Sequence, residues 1–174
     1  MQSWITVSAK YGGGQMTPTV CGNTHLSNAV RNKMVARGIY DRLSREYSYD
    51  YRDLLHRDFL YTSPNYLPWG GVTTAADHYF DTVVPALTNV LDLGRFSCSS
   101  ITSEDSCVVA LFSVGIVEST STVTICELWF LGDGTIRSIW SSLFEPLPLL
   151  VAIEQIKRPI QLQTSTSSVL QRRG

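Results

Sequence analysis

Between residues 95 and 144 apolar and polar positions alternate in short runs separated by turn residues, the period of two that belongs to β-strands. The runs 95–102, 107–117, 122–131 and 135–144 predict a meander of antiparallel strands, with Asp105, 118–121 and Asp133-Gly134 as the turns. Asp133-Gly134 is the sharpest of these signals, because glycine accepts the positive backbone angle of a tight hairpin. Upstream the spacing changes. Val30, Met34, Ile39, Tyr40 and Leu43 recur at helical intervals behind a candidate cap, Asn28, while Arg31, Lys33, Arg37, Arg42 and Arg45 supply a wet side. A second short helix is predicted over 49–55, then a strand over 59–62 that Ser63-Pro64-Asn65 breaks. Thr74 is the candidate cap of a third helix carrying Ala76, Tyr79, Phe80, Val83, Val84 and Leu87. Asp77 suits the positive end of that helix, and Pro85 is set to kink or close it.

Helices followed by long strands predict an α+β fold. The expected form is a cone, with N-terminal helices packed on a strongly curved mixed or antiparallel sheet that encloses a cavity. At 174 residues, 44% of them hydrophobic, the chain suits one domain, placed at 28–156. Residues 1–27, with Gly12-Gly13-Gly14 and Pro18, read as a flexible arm, and 157–174 as a polar tail. Fourteen Lys and Arg against fifteen Asp and Glu give a formal charge of −1, which offers no basic footprint for nucleic acid. No apolar run reaches the roughly 18 residues of a membrane span, so no membrane partner is expected. Cys21, Cys98, Cys107 and Cys126 lack metal-ligand spacing and read as reduced thiols. The N-terminus lacks the charged start and continuous apolar run of a secretion signal, so a cytoplasmic location is expected.

An acidic side chain in an apolar strand is costly unless it is paired, hydrated or used. Glu127 alternates with Ile125 and Trp129, and burial among such neighbours raises a carboxyl pKa in the direction that proton transfer near neutral pH requires. It is the first candidate catalytic group; the plainer readings are a carboxylate satisfied by tyrosine or backbone donors, or one facing solvent. His78, the histidine in a predicted helix, is the second, as a proton shuttle, against the simpler reading of a surface residue. Asp58, at the head of the first strand, is the third, orienting a partner at the cavity entrance. Tyr40, Tyr51, Tyr61, Trp69, Trp129 and Trp140 are the candidate substrate-binding aromatics, suited to a flat hydrophobic ligand. Tyr61 or Tyr51 is placed to donate to a carbonyl oxygen that turns negative on enolisation. His25, His56 and His78 show neither HxH nor HxxxH spacing, and no glycine-rich phosphate motif opens a helix, so neither a metal nor an organic cofactor is expected.

The motifs DFLYTSPNYLPWGG at 58–71, the following TAADHYFDTVVPAL, ELWFLGDGTIRSIW at 127–140 and LFEPLPLL at 143–150 occur in a telling order. That order resembles the superfamily typified by nuclear transport factor 2, ketosteroid isomerase, limonene epoxide hydrolase and the small SnoaL-like aldol cyclases of aromatic polyketide pathways. The resemblance implies that Glu127 fills an acidic strand position before the last hairpin and that Glu145 fills one at the end of the last strand, at a pocket rim. Ketosteroid isomerases carry their base aspartate before a proline, where this chain has Ser63 before Pro64, and serine cannot serve as that carboxylate. The implied activity is that of a cofactor-independent cyclase, isomerase or dehydratase acting on a hydrophobic, polyketide-like intermediate of secondary metabolism. Epoxide opening by an Asp–Arg–Asp group is an alternative, with Arg95 and Arg137 as the available arginines. A non-catalytic binding or dimerisation scaffold is another. The resemblance further implies a homodimer through the sheet, and Val108, Ala110, Phe112, Val114 and Ile116 are the apolar face expected to support it.

Overall fold

The computed structural model describes residues 26–46 and 49–157, so nearly all of the expected arm and tail lie outside the described residues. The first helix, α1 (Asn28–Leu43), starts from Ser27 rather than Asn28: the Ser27 hydroxyl accepts the Val30 N–H at 3.4 Å. Its buried side presents Ala36, Ile39 and Tyr40. The helix expected over 49–55 is a single 3-10 turn, Arg52–Leu54, and strand β1 (Leu55–Ser63) begins at once after it.

A short strand, β2 (Gly71–Thr74), occupies ground read as loop and helix cap. It folds back on β1 in antiparallel register from Leu60↔Thr74 to Ser63↔Gly71. Between them the Ser63 hydroxyl donates to the Trp69 carbonyl at 3.1 Å, and a Cβ at Gly70 would stand 2.2 Å from the Pro64 carbonyl oxygen, so this close approach needs glycine.

The next helical run comprises α2 (Ala76–His78), a π turn (Tyr79–Val83) and α3 (Val84–Thr88). Pro85 does not close it. Proline has no N–H to give to the carbonyl four residues back, and the chain answers by widening: the Val84 N–H reaches the Tyr79 carbonyl, five residues away. Tyr79, Phe80 and Val83 are all buried from this turn. The remaining elements are β3 (Leu91–Glu104), β4 (Cys107–Ile116), β5 (Thr122–Gly132), β6 (Thr135–Phe144) and a last helix, α4 (Leu147–Lys157). Asp133 and Gly134 take φ of 54° and 80°, the two positive angles that a tight hairpin turn requires.

The strands form one sheet in the order β2-β1-β6-β5-β4-β3, antiparallel throughout except for the parallel pair β1–β6. The expected cone is corrected here. The sheet is mixed and open, neither closed nor strongly curled, and its edge strands β2 and β3 do not pair with each other. Alternation along a strand fixes which side chains share a face; it carries no information about how far a sheet coils.

The face of β4 expected to meet a second copy is also corrected. Val108, Ala110, Phe112, Val114 and Ile116 are buried in the core, against the helical layer. Strand β4 is apolar on both sides, so its own sequence could not tell inside from outside. The outer face is the other parity, and it exposes Val109, Trp140 and Phe144. Among the described residues no helix is long and apolar enough to cross a membrane.

Candidate functional site

Two side-chain bonds pin α1 across the sheet: the Asn32 amide donates to the Asp105 carbonyl at 2.8 Å, and the Ser103 hydroxyl to the Ala29 carbonyl at 2.7 Å. They set the helix so that Tyr40, one turn from its C-terminal end, lies over the middle of β4 and β5. Its ring stacks on Phe96 at 5.7 Å between centroids and packs at 5.2 Å against both Phe112 and Trp129. On β5, Ile125, Glu127 and Trp129 share the inner face, as the alternation requires.

The Tyr40 hydroxyl donates to Glu127 Oε2 at 2.6 Å, and the Trp129 indole N–H donates to the same oxygen at 2.9 Å. Oε1 takes part in neither bond. Glu127 lines a cavity. Burial raises the Glu127 pKa above the ordinary carboxylate value, and the bonds from Tyr40 and Trp129 pull it partly back.

The cavity, about 100 Å³, lies between the inner face of the sheet and the helices. Its polar lining is sparse: Glu127, Ser141, Thr88 and the hydroxyls of Tyr40, Tyr51, Tyr61 and Tyr79. Tyr51 and Tyr79 bond to each other through their hydroxyls at 3.0 Å, and neither oxygen has another side-chain partner among the described residues. One O–H serves that bond and the other remains to donate. Burial drives the pKa of Tyr40, Tyr51, Tyr61 and Tyr79 upward, and the Glu127 charge adds to it in each, so all four keep their protons. The half-buried Leu43, Leu87, Leu93 and Phe96 form an uncharged rim.

Of the residues read from the sequence, Glu127, Tyr40, Tyr51, Tyr61 and Trp129 converge on this cavity. Trp69 is buried behind the cavity lining, next to Tyr61, and closes the β1–β2 loop through its carbonyl. His78 is exposed and meets Thr82 at 3.3 Å; the π turn that carries Tyr79 and Phe80 inward leaves it outside. Asp58 is exposed beside His56 and Arg57, and Glu145 is exposed at the end of β6. Trp140 is 53% exposed on the outer face. A register shift explains it: next to the hairpin Gly132 faces Thr135 and Leu131 faces Ile136, but beyond the irregularity at Phe130/Leu131 the pairing moves by one, with Arg137 as the extra residue. Glu127 thereby faces Ser141, and Trp140 is left opposite Leu128.

Sequence reasoning missed Ser141, Tyr79, Phe96 and Phe112 as lining residues. Tyr79 was legible only as core. The arginine-centred arrangement sought for epoxide opening does occur, but around Arg52, which bridges Asp50, Asp77 and Asp81 at 2.8, 2.9 and 3.3 Å on the exposed surface. Arg95 and Arg137 each pair with one aspartate, Asp92 and Asp133, also away from the cavity.

No family model matches the chain, and no curated protein matches it in sequence. Solved structures do match. A nuclear transport factor 2-like protein of unknown function from Burkholderia pseudomallei K96243 superposes with a TM-score of 0.57 at 16% identity, over 73% of this chain and 95% of that one. A protein from Jannaschia sp. CCS1 bearing the name of a SnoaL-like polyketide cyclase gives 0.58 at 13% identity, over 81% and 97%. One from Kribbella flavida DSM 17836 bearing the name of a ketosteroid isomerase gives 0.54 at 11% identity, over 68% and 82%. Identities this low establish architecture rather than chemistry. The chain thus resembles the nuclear transport factor 2-like superfamily, with the fold shared by ketosteroid-isomerase-like and SnoaL-like proteins.

Proposed function

We propose that this chain is a cofactor-independent acid–base enzyme, an isomerase, cyclase or dehydratase, acting on a hydrophobic carbonyl compound. The observation that carries the reading is the asymmetry of Glu127: Oε2 is fixed by two donors, while Oε1 is held by neither, on a residue that lines an apolar cavity. A carboxylate held this way removes a proton from carbon next to a carbonyl; the electron pair moves to the carbonyl oxygen, and the proton returns from the same carboxyl group to that carbon or, where the enolate is conjugated with a C=C bond, to the γ-carbon at its far end. The spare O–H of the Tyr51–Tyr79 pair is a donor available to the developing oxyanion. Burial of Glu127 shifts its pKa toward the pH at which it both takes and returns a proton. The names borne by the Jannaschia and Kribbella structures belong to the same broad chemistry.

The test is deuterium uptake from D2O at the α-carbon of a cyclic ketone, followed by proton NMR. Wild type is expected to accelerate exchange and Glu127→Gln to abolish the acceleration. Equal rates in the two proteins would end the proposal. A homodimer is proposed through the outer sheet face, where Val109, Trp140 and Phe144 form exposed apolar surface. Trp140→Lys then yields a smaller particle in sedimentation than wild type at equal concentration.

A further inference from the structure

Resting on the acid–base reading above, we infer that the substrate is a neutral carbonyl compound built on a single small ring, rather than a fused polycycle or an ion. Size is the first constraint. An apolar cavity of about 150 Å³ takes up benzene, and this one, at about 100 Å³, is smaller, so it encloses at most one small ring and no second. Its walls are not free to yield, because Phe112, Ile125, Trp129 and Tyr61 are packed core residues.

Charge is the second. Among the described residues no Lys, Arg or His lines the cavity, so a carboxylate or phosphate would enter beside Glu127 with no compensating cation from them. Hydrogen bonding is the third and excludes the opposite ion. Aromatic walls with one carboxyl group would suit an ammonium, but an ammonium accepts no hydrogen bond, and the spare Tyr51–Tyr79 hydroxyl would be left without an acceptor. A carbonyl satisfies it. The polar groups are few and the rim of Leu43, Leu87, Leu93 and Phe96 is apolar, so the rest of the ligand is hydrocarbon.

The experiment titrates the full-length protein, labelled with 15N, with cyclopent-2-enone, cyclohex-2-enone, 1-tetralone, benzoate and cyclohexylamine. The single-ring enones are expected to bind and to shift the Trp129 indole N–H. Tetralone should bind about tenfold more weakly or worse, as an oversized group in a rigid pocket does, and the two ions should not bind. Tetralone binding as tightly as the enones, preference for either ion, shifts confined to the outer sheet face, or no enone binding at all would each overturn the inference. The same samples in D2O separate the two readings. Enones that bind at the Trp129 indole without faster α-proton exchange uphold the ligand class and sink the catalytic role of Glu127, and exchange restricted to larger ketones does the reverse.

Discussion

Replacing Tyr40 by Phe deletes one O–H and almost nothing else. The ring keeps its packing on Phe96, Phe112 and Trp129, while Glu127 Oε2 loses the 2.6 Å donor and retains only the indole N–H. The consequence depends on the charge of Glu127. Its folded pKa is raised by burial above the ordinary value of 4.5. The stability it contributes as a neutral acid is therefore complete below that ordinary value and is lost as pH rises through the folded one. A hydrogen bond between neutral groups contributes about 0.5–1.5 kcal/mol, and one to an ionised group about 1.5–3 kcal/mol. Tyr40→Phe should consequently cost about 1 kcal/mol at pH 4 and about 2 kcal/mol at pH 8. The gap between the two proteins thus widens by about 1 kcal/mol with pH, roughly 2–4 °C in Tm for a chain of this size. Urea unfolding of both proteins at half-unit steps from pH 4 to pH 8 reads this directly. Parallel curves, or a gap that narrows toward pH 8, would show that Tyr40 does not hold the ionised form of Glu127 and would refute the reasoning.

The same linkage predicts that Glu127→Gln, which keeps an acceptor for both donors but cannot ionise, removes a falling limb from the stability profile: above pH 4.5 wild type loses stability relative to the variant, measured by the same titration. Parity on β4 is tested by a pair of neighbours. Val108→Asp, at a position with no exposed surface, should cost about 4 kcal/mol or more by burying a charge, whereas Val109→Asp should stay within about 0.5 kcal/mol in thermal denaturation of the monomer. Arg52→Met should leave turnover unchanged and lower Tm slightly at low salt, with the difference vanishing at 1 M NaCl, because its three carboxylate partners are all on the surface.

Much of the fold was legible because it rests on local signals. The alternation of β5 and the turn at Asp133-Gly134 placed a hairpin where the structure has one, and the inner face of Ile125, Glu127 and Trp129 follows from period two alone. The parallel β1–β6 pair and the four-residue β2 were not legible, since each depends on contacts made far along the chain. Pro85 was read as kinking the helix or closing it, and the closing alternative is the one that does not occur: the helix had another way to do without the missing N–H, and the π turn is that way.

The site divides along the same line. Glu127 was visible as a carboxyl group in the wrong company, a purely sequential observation. Its partner Tyr40 stands 87 residues away, and nothing local assigns that pairing. Trp140 shows how little separates the two cases. Carry the hairpin register outward from Gly132↔Thr135 without interruption and Trp140 falls opposite Glu127, inside, where an aromatic wall was expected. One extra residue at Arg137 exchanges it for Ser141, turning an indole out to the sheet's outer face and leaving a hydroxyl beside the carboxyl group. Because that exchange replaces a bulky ring with a small polar group, the bulge itself keeps the cavity open next to Glu127. Deleting Arg137 removes only the extra residue: Phe130 should still face Ser138 and Glu127 still face Ser141, so Trp140 should stay outside and the indole shift of Trp129 on ligand addition should survive, whereas loss of that shift with the protein still folded would refute the assignment of Arg137 as the residue that sets the register.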